Sequence, residues 1–479
     1  MRKTKIVCTL GPAVDSTESL RALMTSGMNC ARFNFSHGTH ASHLAMLNRF
    51  KAVRDDLGWP IATMLDTKGP EIRIRQFAEG SVRLNPGDEF TLTVRDIPGN
   101  DRQVSITYKE LPQEVRPGTR ILIDDGIIGL KVEEVKGEDI RCTVESGGLL
   151  SNDKGVSIPN TPIHLPFLSE RDIGDLKFAA ENDFDFISAS FVRSADDVEQ
   201  IREVLKKYGG PDIQIISKLE NQQGVDNLDE IINASDGVMV ARGDLGVQIP
   251  LEKVPILQKE IIRKCQKAGK IVITATQMLD SMIRNPRPTR AEVSDVANAV
   301  FDGTDCVMLS GETASGKYPV ESLKTMVAVV TEAESSIDYW TGFNRSEEVE
   351  KTTINDAITH SCCLAARDLN AAAILCASKT GHTARMISRF RPQCPIVAMT
   401  MTEKARRQLA LVWSVHPALT GTVDTTDRLF SVCEEAAFKN RLVQNGDVVV
   451  ITAGVPIGKA GSTNLIKADV VHVNPDPGL

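Results

Sequence analysis

The sequence predicts an α/β protein: a (β/α)8 barrel, an antiparallel β-barrel domain inserted into it, and an open α/β domain after it. Strand-like and helix-like runs alternate along residues 1–70 and again along 167–345, which is typical of a parallel sheet wrapped by helices. Three strands precede the interruption and five follow it, enough to close a barrel of about 250 residues. A doubly wound open sheet is the alternative, but it would need no insertion and fewer units.

The predicted barrel strands are short apolar runs rich in β-branched residues. In order they are Thr4–Leu10, Cys30–Ser36, Ile61–Asp66, Phe184–Phe191, Ile213–Ser217, Gly237–Ala241, Ile271–Thr276 and Asp305–Ser310. Apolar residues at helical spacing predict helices at Ser19–Ser26, Ala41–Leu57, Glu170–Asn182, Ala195–Lys207, Asn227–Ser235, Val254–Ala268, Arg290–Phe301 and from about Val320.

Residues 71–166 lack the alternation of strand-like and helix-like runs. They contain short β-rich runs separated by the turn signals NPGD, IPGN, RPGT, DDG and SGG. They predict an inserted β lid domain on two connections. Residues 346–479 return to alternation, with a helix at Thr353–Asn370 and strands AAAILCAS, PIVAMT, VVVITAG and a final VVHV, which predicts a C-terminal α/β regulatory domain. Residues 1–70 and 167–345 together form the predicted catalytic barrel.

The composition is that of a soluble globular protein, with 42% hydrophobic and 25% charged residues. A net charge of −8 argues against nucleic acid or an anionic membrane as a partner. Ten cysteines are scattered without a CxxC spacing, which predicts reduced thiols in a cytoplasmic protein.

The stretch Ile213–Pro250 carries the densest set of reactive side chains. Lys218 and Glu220 end one predicted strand two residues apart, so their side chains share a face. Arg242 and Asp244 follow the next strand, flanked by glycines that let a ligand approach the backbone. A lysine and two carboxylates at neighbouring strand ends predict a site for Mg²⁺ and an oxyanion. The alternative is a set of solvated salt bridges on loop tips.

Polar side chains end other predicted strands as well. Arg32 can grip a phosphate with its planar fork. Asp66 and Thr67, with nearby amide and hydroxyl oxygens, suit a weakly bound hard cation. Thr276 opens a predicted helix whose first amides suit an anion. His37 is expected to be a hydrogen-bonded structural residue rather than a general base, because the other groups already cover the chemistry.

Seven motifs stand in order over residues 1 to about 330: NFSHG, DTKGPEIR, ISKLEN, MVARGDLGV, TATQMLDSM, PTRAE and MLSGETA. With them the sequence resembles the pyruvate kinase family, in its bacterial, K⁺-dependent type, over essentially the full length. The resemblance implies a TIM-barrel transferase of glycolysis that moves the phosphoryl group of phosphoenolpyruvate to ADP, giving pyruvate and ATP. It also implies Mg²⁺ (or Mn²⁺) and K⁺ as cofactors, allosteric control and a homotetramer.

The family's roles carry over to matching positions. Glu220 and Asp244 resemble its Mg²⁺ ligands, Lys218 the lysine that stabilises the phosphoryl group in transfer, and Thr276 the threonine that assists protonation of the enolate. The other correspondences are Arg32 and Arg73 for phosphate, Arg73 and Lys154 for the nucleotide, the backbone of Gly243 and Asp244 for the substrate carboxylate, and Asn34, Ser36, Asp66 and Thr67 for K⁺. Ser190, Phe191, Ser310 and Glu312 fall in matching motifs near the site.

Two further expectations concern K⁺ and regulation. Glu71 resembles the glutamate of the family's K⁺-dependent members, whereas members with lysine at this position do without K⁺. The resemblance therefore implies K⁺ dependence, because a fixed ammonium can replace a mobile monovalent cation and a carboxylate cannot. The turn Ala377–Thr383 and the loop Gly458–Asn464 resemble the family's sugar-phosphate effector site, and a plain strand–helix turn is the equal alternative for the first. The candidate contacts are Ser378, Lys379, Thr380, Gly381 and Thr383, and the candidate ligands are fructose 1,6-bisphosphate, ribose 5-phosphate or another monophosphate.

Two other functions fit the same residues. A Mg²⁺-enolate lyase or aldolase would use Glu220 and Asp244 but leave Lys218 idle. A metabolite-sensing paralogue without activity would bind an effector through the C-terminal domain, although every proposed catalytic position is present.

Overall fold

The computed structural model describes residues 1–159, 161, 163–345, 353–421, 423, 425–456 and 463–473. In chain order the strands are β1 (Lys5–Thr9), β2 (Cys30–Asn34), β3 (Ala62–Asp66), β4 (Ile72–Arg73), β5 (Ser81–Leu84), β6 (Glu89–Thr93), β7 (Gln103–Ser105), β8 (Arg120–Ile123), β9 (Ile128–Lys136), β10 (Asp139–Ser146), β11 (Gly148–Ser151), β12 (Gly155–Ser157), β13 (Phe186–Ala189), β14 (Gln214–Leu219), β15 (Gly237–Ala241), β16 (Ile271–Ala275), β17 (Cys306–Leu309), β18 (Ala373–Ala377), β19 (Ile396–Thr400), β20 (Val415–Leu419), β21 (Val448–Gly454) and β22 (Thr463–Val470).

The helices are α1 (Thr17–Ser26), α2 (His40–Leu57), α3 (Leu111–Glu114), α4 (Glu170–Glu181), α5 (Ala195–Lys207), α6 (Gln222–Asp226), α7 (Leu228–Ala234), α8 (Arg242–Gln248), α9 (Val254–Ala268), α10 (Arg290–Phe301), α11 (Gly311–Ala314), α12 (Pro319–Ser335), α13 (Tyr339–Arg345), α14 (Ile354–Asp368), α15 (His382–Ser388), α16 (Glu403–Leu409) and α17 (Thr426–Lys439). The segment after β16, expected to be helical, forms only a 3₁₀ turn at Asp280–Ile283.

Eight parallel strands close a barrel in the order β1, β2, β3, β13, β14, β15, β16 and β17, with β17 returning to β1. The predicted barrel is therefore confirmed. Its strands are buried along their length, as expected for a parallel sheet covered on both faces. Side chains at their carboxyl ends converge on one rim, where active sites of such barrels lie.

Capping residues fix several helix starts. Ser16, Thr39, Ser169 and Thr289 each form a reciprocal capping box with the residue three positions on, which satisfies backbone N–H groups at the first turn. The bounds of α5, α9 and α10 agree with those predicted from apolar spacing.

The inserted segment builds a seven-stranded sheet in the order β4, β12, β8, β9, β10, β6, β7, and β5 pairs separately with β11. Its strand pairs are antiparallel except for β6 with β7, which is parallel. The sequence shows no sign of α3, since a single turn is too short to display helical periodicity. The domain boundaries at residues 70, 166 and 345 stay predictions.

The C-terminal sheet has the order β20, β19, β18, β21, β22, with β22 antiparallel to its neighbour. The final strand was predicted at the apolar run VVHV, but β22 ends at Val470 and precedes most of that run. An edge strand that is largely exposed has no need of an apolar sequence, so the prediction favoured the wrong residues. β20, also an edge strand, was not predicted and contains Pro417, which edge positions tolerate.

One hydrophobic cluster runs from the inside of the barrel into the C-terminal domain. It includes Phe186, Ile216 and Met239 of the barrel strands together with Leu411 and Val415 beyond them. In the described parts of the chain, no helix is both long enough and apolar enough to span a bilayer.

Candidate active site

Lys218 lies at the centre of a buried ion cluster on the carboxyl rim of the barrel. Its Nζ is 2.9 Å from Oε1 of Glu220 and 3.3 Å from Oδ1 of Asp66, and it donates a 2.8 Å hydrogen bond to Oγ of Ser190. Burial lowers the pKa of this lysine, but the charges of Asp66 and Glu220 outweigh burial and raise the pKa above its ordinary value. The ammonium group is therefore held protonated and fixed in place.

Arg32 forms the second cation of the cluster. Its Nε is 2.8 Å from Oδ2 of Asp66, and its Nη1 donates a 3.0 Å hydrogen bond to Oγ1 of Thr9. Burial raises the pKa of Asp66, and the neighbouring Arg32 and Lys218 reverse this and hold the pKa below its usual range. Asp66 thus stays ionised and aligns two cations side by side.

Glu220 is the buried acid of the site. Burial raises its pKa to about 7, Lys218 opposes the rise, and the charge of Asp244 adds to it. Its Oε2 accepts a 2.6 Å hydrogen bond from the backbone N–H of Phe191. Two carboxylates that repel each other at a cleft are a suitable pair of ligands for a divalent cation.

Thr276 and the turn after β15 complete the rim. The Gly243 N–H donates a 2.8 Å hydrogen bond to Oγ1 of Thr276. Thr276 has φ +66°, a conformation that β-branched residues rarely adopt and that is typical of functional sites. Arg242, grouped with Asp244 from sequence, instead pairs with Asp295 at 2.7 Å and bonds the Thr276 carbonyl oxygen, so it supports the rim.

A cleft of about 560 Å³ lies between the barrel rim and the inserted domain. Its charged lining comes from both sides, namely Glu71, Asp125, Arg193, Asp226 and Asp244. Acids outnumber bases in this lining. An anionic ligand near Asp244 and Asp125 would therefore need a cation beside it.

The two nucleotide-contact candidates lie on the inserted domain and already have partners there. Arg73 pairs with Glu71 at 2.8 Å and donates to the carbonyl oxygen of Asp153. Lys154 pairs with Asp124 at 2.8 Å. Both pairs are partly exposed, where ion pairs contribute little, so a bound phosphate can compete for either cation.

The four residues predicted for K⁺ come together only in part. Asn34 and Asp66 are register partners on β2 and β3, and Thr67 follows directly. The Asn34 side-chain oxygen accepts from the Ser36 N–H at 3.1 Å, while both carboxylate oxygens of Asp66 accept from Arg32 or Lys218. The donor types suit a hard monovalent cation, but Asp66 would share its charge with two fixed cations.

Comparisons with known proteins cover both ends of the chain. The family model described as "Pyruvate kinase, barrel domain" matches residues 1–323, and that described as "Pyruvate kinase, alpha/beta domain" matches residues 356–468. The chain belongs to the pyruvate kinase family. The fold and the family predicted from the sequence motifs are thereby confirmed.

Individual pyruvate kinases match over nearly the whole chain. The protein of Clostridium acetobutylicum is 50% identical over 473 residues, covering 98% of this chain and 100% of the relative. That of Geobacillus stearothermophilus is 49% identical over 472 residues, covering 98% and 80%. The crystal structure of a pyruvate kinase from Cryptosporidium parvum superimposes with a TM-score of 0.93 at 39% identity, covering 98% of this chain and 96% of the other.

The predicted effector turn of this pyruvate kinase family member lies between β18 and α15. Gly381 adopts φ +77°, and the Thr383 hydroxyl is 2.7 Å from that of Thr463. Ser378 and Thr383 are buried. Most of the loop Gly458–Asn464 falls outside the described residues, so effector binding at this turn stays a prediction.

Two residues of the site are absent from the sequence prediction. Thr9 holds Arg32, and its position at the end of β1 is the signal that strand-end reasoning overlooked. Asp125, at the tip of the β8–β9 turn, lies near enough to Asp244 for that charge, together with burial, to raise its pKa. Its DDG sequence predicts a turn but carries no sign of the barrel rim opposite.

Proposed function

We propose that this chain transfers the phosphoryl group of phosphoenolpyruvate to ADP, giving pyruvate and ATP. The observation that carries the proposal is the protonated Lys218, fixed among Asp66, Ser190 and Glu220 on the carboxyl rim of the barrel. The chain neighbours Phe191 and Asn221 line the cleft between this rim and the inserted domain. Membership of the pyruvate kinase family supports the same reaction. Phosphoryl transfer depends on positioning and charge neutralisation more than on covalent chemistry, and this cluster supplies both.

In this proposal the cations act on the phosphoryl group in transit. Lys218 neutralises charge on its oxygens, and Arg32, aligned by Asp66 and Thr9, holds the same group from the neighbouring strand. Arg73 and Lys154 exchange their partly exposed acidic partners for nucleotide phosphates. Because Lys218 and Arg32 are placed before the substrate arrives, these two cations need no reorganisation in the transition state.

Glu220 and Asp244 would hold Mg²⁺. Burial raises the pKa of Glu220 to about 7 and the charge of Asp244 adds to the rise, so a cation beside the two carboxyl groups would relieve their repulsion. When bound, the ion supplies the positive charge that the acidic lining of the cleft lacks and links substrate oxygens to the barrel. Asn34, Ser36, Asp66 and Thr67 would hold K⁺ in the same way, with Glu71 leaving no fixed ammonium to replace it.

Thr276 is proposed to assist the final proton transfer to the methylene carbon of the enolate. Its hydroxyl lies at the rim, 2.8 Å from the Gly243 N–H, where the amides of this turn would hold the substrate carboxylate. The inserted domain acts as a lid that excludes water from the cleft. The family resemblance supports three further parts of the proposal. A sugar phosphate binds at Ser378–Thr383, the protein forms a homotetramer, and it acts in the cytoplasm.

The test is pyruvate release from phosphoenolpyruvate and ADP with Mg²⁺, measured with K⁺ and again with only a bulky organic cation. Strong activity that collapses without K⁺ supports the reaction, the Asp66–Thr67 site and the Glu71 argument together. Activity indifferent to K⁺ keeps the reaction and overturns the K⁺ site. The absence of pyruvate under either condition, even with sugar phosphates added, overturns the proposed function.

A further inference from the structure

The barrel and the C-terminal domain enclose a small polar cleft, here called the interdomain cleft. Its charged lining residues are Lys270, Asp305, Arg385, Arg389 and Arg391. Its volume of about 10 Å³ corresponds to roughly one water-sized sphere. The walls approach closely at Gly269, which ends α9 with φ +66°, and a Cβ there would lie 2.1 Å from Cε of Met386 on α15.

Positive charge exceeds negative charge around this cleft. Arg389 pairs with Asp356 at 2.7 Å and Arg391 with Asp305 at 2.7 Å. Arg385, in contrast, has no carboxylate within 4.0 Å among the residues that the structure describes, and the partner of its Nη2 is the carbonyl oxygen of Thr380 at 3.3 Å. Its charge is therefore not balanced by a contacting carboxylate.

Lys270, on the barrel wall, adds to the imbalance. Its Nζ donates to the backbone oxygens of Ser235 at 2.5 Å and Asn233 at 3.3 Å, neither of which carries a full charge. Asp236 acts electrostatically on Lys270 and on Arg385 but already pairs with Arg202 at 3.1 Å. Within the described chain this acid is shared among three cations.

Three guanidinium nitrogens of arginines that line the cleft are buried and, among the described residues, have no hydrogen-bond acceptor: Nη1 of Arg385, Nε of Arg389 and Nε of Arg391. Buried donors are nearly always satisfied in native proteins, and charged ones are the costliest to leave unsatisfied. A water molecule would accept hydrogen bonds here but leave the excess charge in place. An anion would satisfy both requirements.

We propose that the interdomain cleft binds one compact monovalent anion of the size of chloride, with Arg385 as its principal contact. The small volume favours a halide ion over a bulkier phosphate or carboxylate ligand. The carboxylate of Asp305 does not prevent binding, because Arg391 neutralises it. The bound anion joins the barrel, through Lys270, to the helix that follows the predicted effector turn.

The direct test uses crystals of the unaltered chain grown with bromide in place of chloride. The expected result is an anomalous-scattering peak within hydrogen-bond distance of Arg385. The absence of a peak at the cleft, with bromide visible elsewhere on the protein, overturns the proposal. This experiment needs no variant and is independent of the catalytic reaction.

A solution test shows whether the anion also binds outside the high salt concentrations used for crystals. The melting temperature is measured in potassium chloride and in potassium gluconate at equal ionic strength, so that K⁺ is constant. We expect a saturable rise with chloride in the unaltered chain and in the control Arg428→Gln, whose arginine pairs with Glu435 far from the cleft in sequence. We expect no such rise in Arg385→Gln.

The variant Arg385→Lys keeps the charge and is expected to retain a weaker chloride response. If Arg385→Gln folds, as judged by circular dichroism, and still responds to chloride like the unaltered chain, the proposal is wrong. If Arg385→Gln does not fold, the comparison of Arg385→Lys with the unaltered chain decides: an equal affinity for chloride overturns the assignment of Arg385, and a weaker one supports it.

Discussion

Both ends of the barrel carry buried ion pairs, yet the two ends use them differently. At the carboxyl end, Lys218 and Glu220 lie 2.9 Å apart beside an open cleft of about 560 Å³. At the amino end, Arg407 reaches from the C-terminal domain to Asp185, 2.8 Å away, and fills the space itself. The cluster at the carboxyl end lies where a ligand could interact with its charges. At the amino end, Arg407 and Asp185 neutralise each other within the protein.

The comparison shows how a buried ion pair can be interpreted. Buried pairs cost desolvation energy that their attraction only roughly repays, so stability alone does not account for a cluster that buries Arg32, Asp66, Lys218 and Glu220 together. Where the pair joins two domains, as Arg391 and Asp305 do at 2.7 Å, it specifies how they dock. Where it faces a cleft, it is a preorganised environment for charge that arrives with the substrate.

The largest expected effect is on activity at the open end. Replacing Lys218 by methionine removes the fixed cation that we propose neutralises the transferring phosphoryl group, and the rate of pyruvate formation should fall by about 10³-fold or more. Lys264→Met, which removes a lysine paired with the exposed Asp229, is the matched control and should leave the rate unchanged. Steady-state kinetics measure both, and a Lys218→Met enzyme within tenfold of the unaltered chain would falsify the assigned role.

At the closed end the expected effect is on stability. Arg407→Met leaves Asp185 fully buried without its cation, which should cost about 3–5 kcal/mol of the free energy of unfolding. The control Lys404→Met removes a partner of the half-exposed Asp183 at the same interface and should cost about 1 kcal/mol or less. Urea denaturation measures the difference, and equal losses for the two variants would contradict the contrast between buried and exposed pairs.

The raised pKa of Glu220 predicts that ligand binding at the carboxyl end of the barrel depends on pH. The pKa is about 7 in the folded chain. With Glu220 as the proposed Mg²⁺ ligand, a proton should compete with the ion below that pH, and Mg²⁺ affinity should fall about tenfold per pH unit. Isothermal titration calorimetry between pH 5.5 and 8.5 measures this slope. Glu220→Gln should bind Mg²⁺ weakly at all these pH values, and an unaltered chain with pH-independent affinity would refute the assignment.

The same group affects the stability of the metal-free protein with a definite sign. Its pKa is raised above the ordinary 4.5, so between about pH 4.5 and 7 the folded chain holds a proton that the unfolded chain has released. The stability that it contributes is full below the unfolded pKa and is lost as pH rises through 7. Glu220→Gln should remove this part of the pH dependence.

The smallest expected effect concerns the neutral partner of the lysine. Ser190→Ala removes the 2.8 Å hydrogen bond to Lys218, while Asp66 and Glu220 still hold the ammonium. A hydrogen bond to a charged group contributes about 1.5–3 kcal/mol, so kcat should fall roughly ten- to a hundredfold with little change in KM. A loss as large as that of Lys218→Met would show that Ser190 has a direct role.

The sequence predicted the barrel well because most of its strands are short, buried and largely apolar. The strand Gly237–Ala241 was predicted with its exact bounds. The prediction that Lys218, Glu220, Asp66 and Arg32 lie on one rim was also possible from sequence, because the carboxyl ends of parallel barrel strands meet at the same rim. The sequence could not assign the partner of Arg242, since Asp295 lies on a helix distant in sequence. Nor could it place Asp125 opposite Asp244, because that contact depends on how the inserted domain sits over the barrel.

The hydrophobic cluster that continues from the inside of the barrel into the C-terminal domain has a consequence for folding. Phe186 and Ile216 of the barrel lie in the same hydrophobic cluster as Leu411 of the C-terminal domain. The two domains therefore share part of their buried apolar surface. Neither can melt without exposing apolar surface of its neighbour. The two should therefore unfold together in one calorimetric transition, and a chain shortened to the barrel and its insertion should associate through its uncovered base.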